Sequence, residues 1–251
     1  MRSGVSSALI LEDDVDWDVH LKSQLHHVAL GAQHILPSMN TNGLTLAPQS
    51  PYGDEWDVLW LGHCGDPLPE TVPEHVGLDD DTKALFSKKY LIYDDDTVPG
   101  SERVSNGIDW SQYPPQTRIV HRTTYPFCTF AYALSQRGAR KILSALSLDG
   151  VTMAFDNSLG FLCGDTIYEI GHGKEERYGL NCLSVSPTMM FHHRAKGPLS
   201  ADSDVQKTGS DGAIREKGFT ECVKYSTRLN LMNLLDGRPI ENQFDTMEAQ
   251  A

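Results

Sequence analysis

Residues 7–18 read SALILEDDVDWD, an apolar run that ends abruptly in acidic residues, and this stretch decides the fold. A short apolar run without a polar interruption is typical of a strand that is buried on both faces. We therefore predict a fully buried strand over 7–11, with the acidic residues at its carboxyl end. In open α/β folds, ligands bind at this end of the strands.

The segments that follow alternate between helical and strand patterns. Residues 16–36 predict a helix that has Asp16 or Asp18 as its N-cap, and Gly31 interrupts its periodicity. A second helix is predicted over 135–146 with Ser135 as N-cap, and Asp156 opens a third. Strands are predicted over 56–62, 90–93, 118–120, 129–134 and 183–185. This alternation indicates an α/β fold, a mixed sheet with flanking helices.

Composition restricts the class of protein. The chain has 251 residues, a net charge of −13 and 39% hydrophobic residues, which suits a globular protein. The acidic balance argues against nucleic acid as a partner, since that surface needs clustered Lys and Arg. The longest apolar runs fall far short of the ~20 residues that span a bilayer, and no signal peptide is visible. We expect no membrane segment, and as written the chain would be cytoplasmic.

Two regions differ in composition. Residues 1–194 carry every predicted strand and helix with a clear apolar pattern. Residues 195–251 are polar and rich in Gly, Asp and Lys, so we predict a poorly ordered C-terminal tail. The five cysteines form no CxxC pair, which predicts buried thiols with at most one disulfide bridge.

The run Glu12-Asp13-Asp14 is the strongest chemical signal. Three adjacent carboxylates repel one another, and a divalent cation would neutralise them. Glu12 and Asp14 leave an extended chain on the same side, and oxygen ligands favour Mg²⁺ or Mn²⁺, which could also bind a diphosphate. The alternative is a solvated acidic turn that caps the next helix.

Four sequence blocks, in this order, resemble glycosyltransferase family 25, which includes lipooligosaccharide and collagen galactosyltransferases. The resemblance is strongest to the fungal members of the family. The blocks are SALILEDDVDWD at 7–18, WDVLWLG at 56–62, CTFAYALSQRGARKIL at 128–143 and HHRAKG at 192–197. The resemblance spans about residues 7–205. It implies a Rossmann-like GT-A fold, a nucleotide-sugar donor that is usually UDP-galactose, a divalent metal, and transfer to a glycan or glycoprotein acceptor with inversion.

The resemblance also implies roles for single residues. Glu12 and Asp14 match the metal motif, and Asp13 matches the donor-facing acid between them. Asp156 matches a later acidic residue expected to act as general base or to bind the acceptor. Two further metal-ligand candidates and one donor-phosphate candidate come from the HHRAKG block: His192, His193 and Arg194.

Other acidic and aromatic residues are rivals for these roles. We expect the acidic runs 79–81 and 94–96 to be solvated rather than metal-binding. Trp17, Trp56 and Trp60 are predicted core residues, whereas Trp110, in an irregular stretch, is the best candidate for an acceptor platform.

Two other functions stay open at this stage: a catalytically dead remnant that serves only to bind, and a metal-dependent phosphohydrolase. Only eleven residues precede Glu12, whereas a GT-A fold places nucleotide-binding βα units there. We therefore expect an N-terminally truncated, incomplete GT-A domain that exposes an apolar sheet edge and is inactive alone. By family resemblance the full protein would work in the secretory pathway, in the Golgi or the endoplasmic reticulum.

Overall fold

The computed structural model of the protein describes residues 4–36, 48–75, 77–104, 107–148, 153–171, 178–202 and 212–245. In chain order its strands are β1 (Ser7–Leu11), β2 (Val15–Trp17), β3 (Val58–Gly62), β4 (Lys89–Ile92), β5 (Arg118–Arg122), β6 (Ala131–Ser135), β7 (Cys182–Ser186), β8 (Met190–Arg194), β9 (Gly197–Pro198), β10 (Ile214–Arg215) and β11 (Phe219–Thr220). Its α-helices are α1 (Leu21–Ile35), α2 (Asp80–Phe86), α3 (Gln136–Leu148), α4 (Phe155–Gly171) and α5 (Leu231–Asp236). Short 3-10 helices lie at Pro69–Thr71, Pro73–His75, Ser101–Arg103, Trp110–Gln112 and Leu199–Ala201.

A six-stranded sheet in the order β1-β6-β3-β7-β5-β4 forms the centre of the protein. The pair β3–β7 is parallel, and the other neighbours in this sheet are antiparallel. A second sheet, in the order β11-β8-β2, lies beside it. The predicted α/β class, with a mixed sheet and flanking helices, is confirmed.

The core has two layers, one on each face of the central sheet. Leu59 and Leu61 of β3 pack in the layer that also holds residues of α1, while Val58 and Trp60 pack in the layer formed with α3 and α4. Successive strand residues point to opposite faces, so a strand covered on both sides must be apolar throughout. The prediction of a buried strand at this position is confirmed, since every residue of β3 is buried.

Helix α1 runs through Gly31 without interruption, which corrects the sequence interpretation. A Cβ atom at Gly31 would lie 2.7 Å from Val120 Cγ2 of β5 and 3.2 Å from Tyr90 Cδ1 of β4. The missing side chain therefore lets the helix approach the sheet closely. This close contact outweighs the intrinsic penalty of about 1 kcal/mol for glycine in a helix.

Strand β1 is an edge strand and not a fully buried one, so that prediction is wrong. Among the described residues it pairs only with β6, and Leu9 and Leu11 are 46% and 40% exposed. The apolar sheet edge that the sequence predicts is present here. An apolar run alone does not show whether both faces of a strand are covered.

Helix termini were partly predictable. The Ser135 hydroxyl accepts a hydrogen bond of 2.9 Å from the Gly138 N–H, which confirms the N-cap of α3. The helix around Asp156 begins one residue earlier and is 17 residues long, so it is longer than predicted. Helix α1 begins after His20, and neither Asp16 nor Asp18 is its N-cap.

The C-terminal region differs from the expected poorly ordered tail over residues 212–245. Strand β11 pairs with β8, and Val223, Ser226 and Asn230 are buried. Residues 203–211 and 246–251 of the predicted tail lie outside the described residues, and the division of the chain at 194 stays a prediction.

Two disulfide bonds, Cys64–Cys128 and Cys163–Cys182, correct the expectation of at most one. Cys222 is a buried thiol. The bridges join residues that are 64 and 19 positions apart, and spacing in the sequence does not reveal such pairs.

A fully buried histidine on β5 makes the stability depend on pH. His121 Nδ1 lies 2.8 Å from the Arg122 carbonyl oxygen and Nε2 lies 3.0 Å from the Ser186 hydroxyl. A neutral ring satisfies both contacts, with Nδ1–H as donor and Nε2 as acceptor. Burial lowers the pKa of His121 to about 4, because the charged form would lose its water.

We expect the free energy of unfolding to fall as the pH falls from about 6.5 to about 4, because only the unfolded chain takes up the His121 proton in that window. Between pH values above about 6.5 and pH 4, this proton uptake by the unfolded chain lowers the free energy of unfolding by about 3 kcal/mol. Urea unfolding across this range should show a weaker pH dependence in His121→Gln. His26→Gln, at an exposed histidine of α1, is the control, and an equal pH dependence in wild type and His121→Gln would contradict the assignment.

Candidate functional site

The loop between β1 and β2 brings two carboxylates to one imidazole. Glu12, Asp14 and His192 each offer a ligand atom, and these atoms all lie within 4.8 Å of one another. His192 Nε2 lies 2.9 Å from Glu12 Oε2, and His192 Nδ1 lies 3.7 Å from Asp14 Oδ2. The side chains are 41%, 42% and 21% exposed in the order Glu12, Asp14, His192, so solvent reaches them. We call these three residues the triad.

Strand pairing places the imidazole opposite the acids. In the antiparallel β2–β8 pair Val15 lies opposite His192, and the His193 N–H donates to the Asp14 carbonyl at 2.9 Å. The two halves of the triad are 180 residues apart in the chain. Only this register brings them together.

The segment that leads into β6 forms a second wall of the triad. The Thr129 hydroxyl donates to Glu12 Oε1 at 3.4 Å, and the Glu12 N–H donates to the Phe130 carbonyl at 3.0 Å. The Phe130 ring lies 3.9 Å from the His192 ring, centroid to centroid. Burial and the Glu12 charge raise the pKa of Tyr132, two residues further along.

A disulfide holds this wall in place. Cys128 is bonded to Cys64, and the Cys64 N–H donates to the Phe127 carbonyl at 2.8 Å. Cys128 has φ +68°, a left-handed conformation that non-glycine residues rarely adopt. Such conformations persist only where surrounding contacts enforce them, and they cluster at functional sites.

The buried carboxylate of Asp16 anchors β2 to the C-terminal region. Asp16 is fully buried and accepts from the Thr220 hydroxyl at 2.7 Å, the Ser226 hydroxyl, the Arg228 N–H at 3.1 Å and the Trp17 N–H at 2.8 Å. These donors compensate the loss of water around the charge. Asp16 therefore holds in place the strand that follows the triad acids.

Asp13 lies between the two triad acids with its side chain exposed. Its carbonyl accepts from Arg228 Nη2 at 2.7 Å, and Arg228 Nε donates to the Val15 carbonyl at 3.2 Å. The loop is therefore tethered by its backbone, and the Asp13 carboxylate is exposed to solvent.

The two other predicted residues of β8, His193 and Arg194, make their hydrogen bonds with residues outside the triad. His193 Nδ1 lies 2.9 Å from the Thr220 hydroxyl, and burial lowers the pKa of His193. The structure does not bring His193 into the triad, because adjacent strand residues face opposite sides. Arg194 donates to the Asp202 carbonyl at 2.8 Å.

Asp156 contacts the segment that forms the triad's second wall. It occupies the first turn of α4, half-buried, and its Oδ2 accepts from the Cys128 N–H at 3.3 Å. Cys128 and Phe130 are at most about 7 Å apart along the chain, so Asp156 and Glu12 bind neighbouring parts of one short segment. Asp156 does not contribute a ligand atom to the triad.

The rival acidic runs have structural partners. Asp79 caps α2 by accepting from the Thr82 N–H at 2.9 Å. Asp95 pairs with the buried Arg118 at 2.6 Å, so the expectation that the whole 94–96 run is solvated is wrong. Burial opposes ionisation of Asp95, but the Arg118 guanidinium and hydrogen bonds from Thr97 hold the pKa of that carboxyl below its ordinary value.

The prediction of three core tryptophans is confirmed. Trp56 and Trp60 are buried in different core layers, and Trp17 packs against the layer that holds Trp56. Trp110 lies in the 3-10 helix Trp110–Gln112 and lines an open cleft. The acceptor role of Trp110 stays a prediction.

Sequence reasoning missed Thr129, Phe130 and Arg228. The first two lie in a block that reads as a strand, and Arg228 lies in the presumed tail. Chain position carries no signal for contacts over 117 and 215 residues. Two carboxylates and an imidazole on one accessible surface could hold a divalent cation and leave coordination positions open for oxygen ligands.

No family model, curated protein or solved structure matches this chain. No α-helix in the described ranges combines the length and the hydropathy needed to cross a bilayer.

We expect Asp16→Ala to lower the free energy of unfolding by about 3 kcal/mol, because four donors lose their buried acceptor. Asp13→Ala removes an exposed carboxylate of the same acidic run and should change stability by less than about 0.5 kcal/mol. Urea denaturation of both variants gives the comparison. Equal effects in the two variants would show that Asp16 does not anchor β2.

Proposed function

We propose that this protein is a metal-dependent glycosyltransferase of the GT-A type, which transfers a sugar, galactose in the first instance, from a UDP-sugar to a glycan or glycoprotein acceptor with inversion. The observation that carries the proposal is the triad of Glu12, Asp14 and His192 at a solvent-accessible strand end. The resemblance to glycosyltransferase family 25 in four sequence blocks supports it, because the triad joins the first block to the last.

The donor set fits Mn²⁺ better than Mg²⁺. Carboxylates suit Mg²⁺, Ca²⁺ and Mn²⁺, and of these three only Mn²⁺ belongs to the first-row transition ions that bind at nitrogen-containing sites. A set of two carboxylates and one imidazole therefore favours the ion that accepts both ligand types. When bound, such an ion would stabilise the negative charge that develops on a departing diphosphate.

The remaining residues would bind and orient the substrates. The exposed Asp13 carboxylate would accept hydrogen bonds from sugar or ribose hydroxyls of the donor, while Arg228 binds its backbone carbonyl. Arg194, two residues from His192 on the same strand, would have to leave the Asp202 carbonyl to reach a donor phosphate. Asp156 would accept the proton of the acceptor hydroxyl, since an inverting displacement needs one base on the acceptor side.

Two disulfides support the expected location in the secretory pathway. Disulfides form and persist in oxidising compartments and are rare in the cytosol. Cys64–Cys128 also supports the second wall of the triad, so the same oxidising conditions would stabilise the site.

Asp14→Asn and His192→Ala should each weaken Mn²⁺ binding by at least about tenfold, because each removes one of three ligands. Isothermal titration of Mn²⁺ into the metal-free protein measures this. Asp81→Asn, an exposed carboxylate on α2, is the matched control and should bind Mn²⁺ like wild type. Wild-type affinity in both triad variants would exclude the triad as the metal site.

In a full-length, active form of the protein, Asp156→Asn should lower kcat for sugar transfer by about a hundredfold or more while the KM for the UDP-sugar stays within about twofold. The physical reason is that the amide cannot accept the acceptor proton but keeps the shape of the carboxyl. A collapse of donor affinity would place Asp156 in the nucleotide site instead.

Release of UDP from UDP-galactose by the same full-length form, scored with and without Mn²⁺, tests the reaction class. Release that requires Mn²⁺ supports the transferase. Mn²⁺ binding without release of UDP from any UDP-sugar would favour the binding module, and hydrolysis of simple phosphate esters would favour the phosphohydrolase.

A further inference from the structure

A cleft of about 540 Å³ lies away from the triad and has no role in the function proposed so far. It is lined by the loop segments 98–104 and 113–117, by Trp110, and by Lys224 and Phe244 from the C-terminal region. Its volume is within the range of roughly 300–1,000 Å³ that is typical of small-molecule sites. We call it the Trp110 cleft.

Aromatic rings form the apolar part of this cleft. Trp110 meets Tyr113 edge to face, with ring centroids 6.1 Å apart, and the Arg103 guanidinium lies 4.6 Å from the centre of the Phe244 ring. The negative face of an aromatic ring attracts groups with a positive edge, and the C–H groups on a pyranose face supply one.

The lining offers hydrogen-bond donors to a ligand: Lys224 Nζ donates to the Asp96 carbonyl at 2.7 Å and has two further N–H groups. Acceptors are present as well. Asp245 Oδ1 accepts from the Asn242 amide at 2.6 Å and keeps further lone pairs for a ligand hydroxyl.

The charges in the lining balance. Arg103 lies 3.7 Å from Glu102, and Lys224 Nζ donates to the Asp96 carbonyl at 2.7 Å. With Asp245 included, the lining carries two cations and two anions. This balance favours a neutral ligand over a phosphate or another anion.

The ligand must therefore be neutral, must present apolar ring faces, and must both donate and accept hydrogen bonds. We propose that the Trp110 cleft binds a neutral oligosaccharide of two or three sugar rings. A proline-rich peptide also suits aromatic grooves, but proline has no N–H to give to the carboxylates of Glu102 and Asp245.

The position of the cleft suggests what the oligosaccharide does. Lys224 lines the cleft, and Arg228, four residues later, holds the Asp13 loop. Four residues span at most about 14 Å, so one short segment borders both sites. On the proposed function, on which this step rests, the bound glycan is the acceptor, and its far end extends toward the triad.

The binding step is tested without donor or metal. The full chain is titrated with galactotriose, mannotriose, cellotriose and triacetylchitotriose, and isothermal calorimetry and tryptophan fluorescence report binding. At least one trisaccharide should bind, and Trp110→Ala should weaken it by about tenfold or more through loss of ring stacking. Tyr93→Ala, an exposed aromatic residue outside the cleft, is the matched control and should bind like wild type.

A second variant guards against misfolding of the first. Ser101→Trp fills the cleft from an exposed position and should abolish binding while thermal unfolding stays cooperative. Absence of binding by all four trisaccharides, binding that Ser101→Trp leaves intact, or binding of decaproline in their place would overturn the proposal.

Mn²⁺ titration of the same variants separates the two proposals. Trp110→Ala and Ser101→Trp should bind Mn²⁺ like wild type, because the cleft residues do not contribute to the triad. Mn²⁺ binding without oligosaccharide binding would contradict the proposed oligosaccharide site but not the proposed transferase function. Oligosaccharide binding without Mn²⁺ binding would support the oligosaccharide site and contradict the proposed transferase function.

Discussion

The buried carboxylate of Asp16 is the contact on which the site depends. An ionised carboxylate without water is stable only if protein donors replace the solvent, and here they come from β2 itself and from Thr220, Ser226 and Arg228 in the C-terminal region. This requirement joins the two ends of the chain. Because β2 is held in this way and pairs with β8, the loop before it presents Glu12 and Asp14 to His192.

A second constraint acts from the other side of the triad. The disulfide at Cys128 and its left-handed backbone fix the turn into β6, so that the Cys128 N–H faces Asp156 while Thr129 and Phe130 face Glu12. One short segment thus lies between the triad and the carboxylate that we assign to the acceptor. Asp156 contributes no ligand atom to the triad, so the two carboxylate positions are separate.

The C-terminal region contacts both the Trp110 cleft and the loop that carries the triad acids. Lys224 faces the cleft, Tyr225 and Ser226 bind Asp18 and Asp16, and Arg228 holds the Asp13 loop. A glycosyl transfer needs a donor site and an acceptor site in fixed relation, since orientation of the two reactants supplies much of the rate enhancement. The C-terminal segment, which the sequence predicts to be a polar tail, would hold the two sites in that fixed relation.

The sequence by itself determined the elements whose signal is local. The two-sided burial of β3, the Ser135 cap of α3 and the acidic loop at Glu12 and Asp14 all follow from periodicity, capping chemistry or like charges in succession. The tertiary structure alone decided that β1 is an edge strand, that Gly31 continues α1, that Asp16 is buried rather than an N-cap, and which cysteines pair. It also decided that His192 and not His193 meets the acids. Each of these depends on a contact with another part of the chain, which for Asp16 and Arg228 is 212 residues away, and a local pattern carries no information about that neighbour.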